Sequence, residues 1–157
     1  ASRVEYGWDG FYHLNCVLGP DESVAECGQL RVNDHFLTNY CVKRLLEFAS
    51  EAGALLGIAT PARWDAVREG IFQQVPGTTG IIPEYRNYTE HGIKQSDVIL
   101  AFYPIGYAAD EEIVRRNIGF YRDKQMYNGP PMSTQIECCI LMRLGDRQDG
   151  LRRLLRG

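Results

Sequence analysis

The chain has 157 residues, 45% of them apolar and 24% charged, which is ordinary globular composition. Its 20 acidic and 17 basic residues are scattered, so the net charge of −3 offers no electrostatic footprint for a nucleic acid or an anionic membrane. The uncharged run Val98 to Ala109 is broken by Pro104 and Gly106 and falls far short of the roughly 20 residues that span a bilayer, so it is not a transmembrane helix.

The first residues, Ala1-Ser2-Arg3-Val4-Glu5-Tyr6, carry no initiator Met, basic head or apolar core. No signal peptide is read there, and the chain is expected to begin inside a longer protein. From Ser2 to Leu18 the pattern is strand-like, with Val4 and Tyr6, a turn at Gly7-Trp8-Asp9-Gly10, then Phe11 to Leu14. Asp-Gly between apolar runs predicts a hairpin. Gly19-Pro20-Asp21-Glu22 breaks the regular structure and opens a loop reaching about Asp34.

Beyond it Phe36, Tyr40, Leu45, Phe48, Ala49, Ala52 and Leu56 recur at spacings of three to five, with charged residues between them. The spacing predicts a long amphipathic helix, capped by Asn33 or Asp34 and stopped at Gly57. Thr60-Pro61 opens a second helix, with Thr60 as cap, Pro61 at its first position, and Trp64, Val67 and Ile71 on its buried side. Gln74 to Gly92 is an irregular stretch, long enough for a compact domain to tolerate only with a purpose, so a functional loop is expected. Helices follow near Gln95 to Tyr103, Asp110 to Gln125, Ser133 to Leu144 and Arg147 to Arg156. Helix after helix with one minor hairpin predicts an all-α architecture. Residues 1–157 read as one segment without repeat or internal boundary.

Cysteines stand at 16, 27, 41, 138 and 139, with no C-x-x-C pair and no His at zinc spacing. Reduced, buried thiols are expected, with Cys138 and Cys139 on a buried helix face and neither a metal nor a cofactor.

Candidate chemistry therefore falls on carboxylates and polar residues of loops. The Gly19-Pro20-Asp21 turn leaves Glu22 at the start of a loop, where a pocket that raised its pKa would keep it protonated near neutrality, as a general acid must be. Taken singly, Glu22 also reads as a solvated turn carboxylate. Ile93-Lys94-Gln95-Ser96-Asp97-Val98 puts a cation, an amide and a carboxylate at the mouth of an apolar helix. Lys94 and Gln95 can donate several hydrogen bonds to the hydroxyls of an uncharged sugar, although a helix cap is the plainer reading. The third candidate, Asn128 to Ser133, is a stiff loop feeding a helix.

Together and in this order, Ser2-Arg3-Val4-Glu5, Tyr12-His13-Leu14, Gly19-Pro20-Asp21-Glu22, Val32-Asn33, Thr38-Asn39, Lys94-Gln95 and Asp97-Val98 resemble glycoside hydrolase family 65. That family contains acid trehalases, disaccharide phosphorylases and the glucosidase that trims glucosylgalactosyl-hydroxylysine. The resemblance covers nearly the whole chain. It implies the later part of an (α/α)6 barrel, or toroid, several times longer than this chain, with a small β-hairpin near the N-terminus. It makes Glu22 the general acid, and Lys94 and Gln95 the residues that hold glucose beside the scissile bond.

The third loop separates branches of the family. Phosphorylases carry a His and a serine pair there for phosphate, whereas Met126 to Ser133 is similar to the Gly-Pro-x-Met loop of the hydrolytic members. Val114-Arg115-Arg116-Asn117 and Phe120-Tyr121 also resemble the collagen-glucoside glucosidase branch. Water is then the expected nucleophile, in a single inverting displacement whose second carboxylate activates it. In the hydrolases that base lies further downstream than Gly157, so it is expected outside this chain, in the remainder of the parent domain. Glu84 occupies a loop position the family does not use as base. Disaccharide phosphorolysis is the alternative within the family, and an inactive fragment or sugar-binding module is the alternative of another class.

The chain departs from the family in two ways. Ser23-Val24 replaces the Tyr-His that usually follows the acid, and the segment with Cys27 and Gly28 before Val32 is longer than usual. Asn87-Tyr88-Thr89 also fits a glycosylation sequon.

Overall fold

A computed structural model of the chain describes residues 3–21, 31–90, 92–126 and 132–155. The expected hairpin is there. Strands β1 (Val4–Tyr6) and β2 (Tyr12–Leu14) pair antiparallel with Val4 opposite Leu14 and Tyr6 opposite Tyr12. The tip closes because Gly10 takes φ 85° and Gly7 N donates to Phe11 O at 2.8 Å.

Helix α1 (Phe36–Leu56) ends at Gly57, whose left-handed conformation (φ 67°) lets its N–H reach back to the last carbonyls, as expected. Its cap is neither Asn33 nor Asp34 but His35, whose Nδ1 accepts from Thr38 N at 3.3 Å. Asp34 is taken by another task. Its buried carboxylate accepts from Leu14 N at 3.1 Å and pairs with His13 Nδ1 at 2.7 Å, fastening the hairpin to the helix start. Helix α2 (Ala62–Gly70) also starts one residue late, with Pro61 as an uncapped N-cap rather than the first helical residue. Val67 and Ile71 are buried as expected, while Trp64 is exposed.

Helix α3 (Asp97–Phe102) is shorter than expected at both ends, because Ser96 caps it and Lys94 and Gln95 belong to the entry. It is packed between α1, α4 (Glu111–Arg122) and α5 (Met132–Arg143), and α6 (Arg147–Leu154) packs on α5. Apolar on all sides (Val98, Ile99, Ala101), α3 is the centre of a core completed by Phe36, Leu37, Ile82, Ile93, Ile118, Tyr121 and Leu141. Of the two adjacent cysteines of α5, Cys138 is buried and Cys139, about a third of a helical turn away, is exposed.

The irregular segment 71–90 is a strap through this core. Ile82 N donates to Asn117 Oδ1 at 2.9 Å, Asn117 Nδ2 donates to Gly80 O at 2.9 Å, and Phe36 N donates to Glu84 O at 2.8 Å. Its middle, residues 80–84, thus carries packing. Within the described residues the chain is mostly helical with one small hairpin, and no helix is long and apolar enough to cross a membrane.

Candidate active site

The Gly19–Asp21 turn follows Val17, which is bridged to Val32, so this stretch enters the fold alongside the start of α1. Asp21 is buried and holds the turn to the entry of α3 at two points. Its N–H donates to Asp97 Oδ2 at 2.9 Å, and its Oδ1 accepts from Lys94 N at 3.0 Å. From the other side Ser133, at the start of α5 and the end of the third candidate loop, accepts on Oγ from Ser96 N at 2.8 Å. The three loops grouped from the sequence therefore meet at residues 94–97.

Of the expected site residues, Lys94 is half-buried and Gln95 is buried, with Gln95 Oε1 finding no hydrogen-bond partner. Glu22, one peptide bond beyond Asp21, lies outside the described residues, as do Cys27, Gly28 and residues 127–131 of the third loop. A buried amide oxygen without a partner is costly unless something completes it.

Beneath the convergence lies a buried group that single-residue reading did not single out. Asp97 Oδ2 pairs with His35 Nε2 at 3.2 Å, and both side chains are closed to solvent. Glu84 Oε1 accepts from Ser96 Oγ and from Asp97 N, each at 3.1 Å, so Glu84 caps the first turn of α3. This is a structural task, and it occupies the loop carboxylate that sequence reading had set against a base role. Burial pushes the Glu84 carboxyl well up, and the charges of Asp97 and Asp21 push it further. Burial raises Asp97 too, but His35 and the Asp21 N–H pull it back. Both carboxyls are raised, Glu84 the more strongly, because Asp97 alone has His35 and the Asp21 N–H to offset its burial.

His35, Glu84 and Asp97 bring ligand-type atoms within 4.8 Å of one another. Gly19 packs over the His35–Asp97 pair so closely that an added Cβ would lie 2.2 Å from His35 Nε2, and the arrangement is that of a buried hydrogen-bonded pair and a cap. The signal that could have revealed it is Gly19 itself, a glycine before proline with φ outside the left-handed region, required by close approach rather than by backbone conformation.

No family model matches the chain. Curated relatives do. The chain is 30% identical over 147 residues to a kojibiose hydrolase of Flavobacterium johnsoniae, a match covering 93% of this chain and 21% of that protein. It is 32% identical over 149 residues to the protein-glucosylgalactosylhydroxylysine glucosidase of Mus musculus, again covering 93% and 21%. It is 30% identical over 129 residues to a periplasmic acid trehalase of Saccharomyces cerevisiae, covering 79% of this chain and 10% of that one. The chain thus spans about a fifth of the length of the first two relatives. The resemblance read from the motifs is borne out by these proteins.

Proposed function

We propose that this chain, a homologue of these glycosidases along nearly its whole length, is a segment of an enzyme that hydrolyses an α-glucosyl disaccharide unit, of the kind found in kojibiose, trehalose or glucosylgalactosyl-hydroxylysine. Glu22 is the general acid. It gives its proton to the glycosidic oxygen as the bond from the anomeric carbon to that oxygen breaks. A water attacks the same carbon from the opposite face, and its proton passes to a second carboxylate, which lies in the part of the parent beyond this chain. Lys94 and Gln95 hold the glucose by hydrogen bonds to its hydroxyls, and the helices described here are part of an (α/α)6 toroid.

One observation carries this reading: the turn leading into Glu22 is hydrogen-bonded to the backbone of Lys94, beside a buried Gln95 whose Oε1 has no partner. Donor and sugar subsite are thereby tied into one cluster. The net charge agrees, since a neutral sugar needs hydrogen-bonding loops and no electrostatic field. The test is Glu22→Gln in the complete parent protein. Hydrolysis is expected to fall by about 10²–10⁴-fold, the usual contribution of a positioned proton donor. Near wild-type hydrolysis by this variant would overturn the assignment.

A further inference from the structure

We propose that His35 and Asp97 are a positioning pair that fixes the turn 19–21 against the Lys94–Gln95 entry, and through that turn sets where the proton donor stands relative to the leaving group. This rests on the reading of Glu22 as the acid.

A single oxygen does the joining. Asp97 Oδ2 accepts from Asp21 N at 2.9 Å and pairs with His35 Nε2 at 3.2 Å, so the first turn of α3, the cap of α1 and the acid turn meet at one atom. His35 cannot swing away, because its Nδ1 is occupied as acceptor by Thr38 N. That bond also fixes the tautomer, leaving the proton on Nε2, where it faces Asp97. Asp97 is held from its own backbone side by Glu84 Oε1. Asp21 in turn accepts from Lys94 N, closing a ring of contacts around the turn.

The turn is pressed onto this pair. An added Cβ on Gly19 would stand 2.4 Å from His35 Cε1 and 2.5 Å from Asp97 Oδ2. All of this is buried, yet the structure gives Asp97 Oδ1 no partner. A buried carboxyl with one oxygen unused costs stability that a fully partnered cap would not. Its return is placement: the residue after Asp21 is Glu22, and misplacing a reacting group by about 1 Å costs on the order of 10²-fold in rate.

The leaving group separates positioning from mere folding. The second sugar of a disaccharide leaves as an alkoxide unless its glycosidic oxygen is protonated and so needs the acid, whereas the fluoride of α-glucosyl fluoride departs without a proton. In the complete parent protein, kinetics are compared on kojibiose or trehalose, whichever it hydrolyses, and on α-glucosyl fluoride. Asp97→Ala is expected to lower kcat on the disaccharide about 10²-fold, with less than about a tenfold loss on the fluoride. Asp97→Asn keeps an acceptor for Asp21 N–H and is expected to recover at least about tenfold on the disaccharide. Should Asp97→Ala fail to fold, His35→Asn decides, since Asn is itself a good helix cap and removes only the link to Asp97.

Equal losses on both substrates, or no loss on the disaccharide, would overturn the pair. Glu22→Gln run alongside keeps the two readings apart. A selective loss there with a uniform loss in Asp97→Ala rejects the pair alone, whereas a uniform loss or none in Glu22→Gln rejects the acid assignment and the positioning claim with it.

Discussion

Glu84 illustrates how one buried atom sets a solution property. Its Oε1 caps α3, its Oε2 has no partner, and burial with the neighbouring Asp97 and Asp21 charges holds its pKa well above the ordinary 4.5. The folded protein therefore keeps a proton that the unfolded chain releases. With more protons bound when folded, stability is greatest below the ordinary carboxyl range and falls as pH rises toward the folded pKa. The slope in that window is at most about 1.4 kcal/mol per pH unit. Glu84→Gln keeps the accepting oxygen and removes the proton, so its urea-unfolding midpoint is expected to lose this pH dependence. An unchanged slope in the variant would show that Glu84 is charged in the fold. Glu84→Ala, lacking the cap, is expected to cost about 1–3 kcal/mol at every pH.

At the scale of elements, the strap 71–90 depends on α4 through Asn117. This fully buried side chain accepts from Ile82 N and donates to Gly80 O and Ile113 O, at 2.9, 2.9 and 2.7 Å. Asn117→Ala strands a buried N–H and a buried carbonyl of the strap. Chemical denaturation should show a loss of about 2–4 kcal/mol, and a loss below about 1 kcal/mol would mean that water replaces the amide. The same residues explain what was legible in the sequence. Periodicity located the helices, because apolar residues recur along them at helical spacing whether or not the face they form is covered. Helix starts were displaced by one or two residues, at α1 because the best local cap, Asp34, is engaged by the hairpin; nothing in the structure explains the shift at Thr60-Pro61. The packing of the strap was not legible because the bonds that anchor it, to Asn117 and Phe36, are to distant residues, and local pattern does not encode them. In the site, Lys94 and Gln95 could be read from their side chains, and their meeting with the Gly19–Asp21 turn is seen in the structure. His35, Asp97 and Glu84 work through separations of up to 76 residues, as in the bond from Asp21 to Asp97, and only the fold brings them together.

For the molecule as a whole, the decisive feature is the outer side of α1. Leu45, Phe48, Leu55 and Leu56 are exposed, Leu55 by 88%, while the buried apolar residues of this helix lie in its first turn. Their spacing places Leu45, Phe48 and Leu55 on one stripe, with Ile58 exposed just beyond the helix. A helix of 21 residues that buries one end and bares a stripe along the rest is built to be covered along its length. In the toroid we propose, the remainder of the parent domain supplies the cover, and among the described residues of the isolated chain none does. The chain alone is accordingly expected to associate at micromolar concentration by light scattering coupled to size exclusion, and to show no hydrolysis, since the proposed mechanism takes its base from the rest of the parent. Phe48→Glu with Leu55→Glu should make the isolated chain monomeric, because at an exposed site these changes cost less than about 0.5 kcal/mol each. In the complete parent the same pair would bury two charges against apolar partners and should lower its melting temperature by several degrees. The two arms pull in opposite directions only if the stripe is covered in the parent. A monomeric unmodified chain, or a parent indifferent to the two glutamates, would mean that α1 faces water in the intact enzyme and that the helices described here do not close into a toroid through this face.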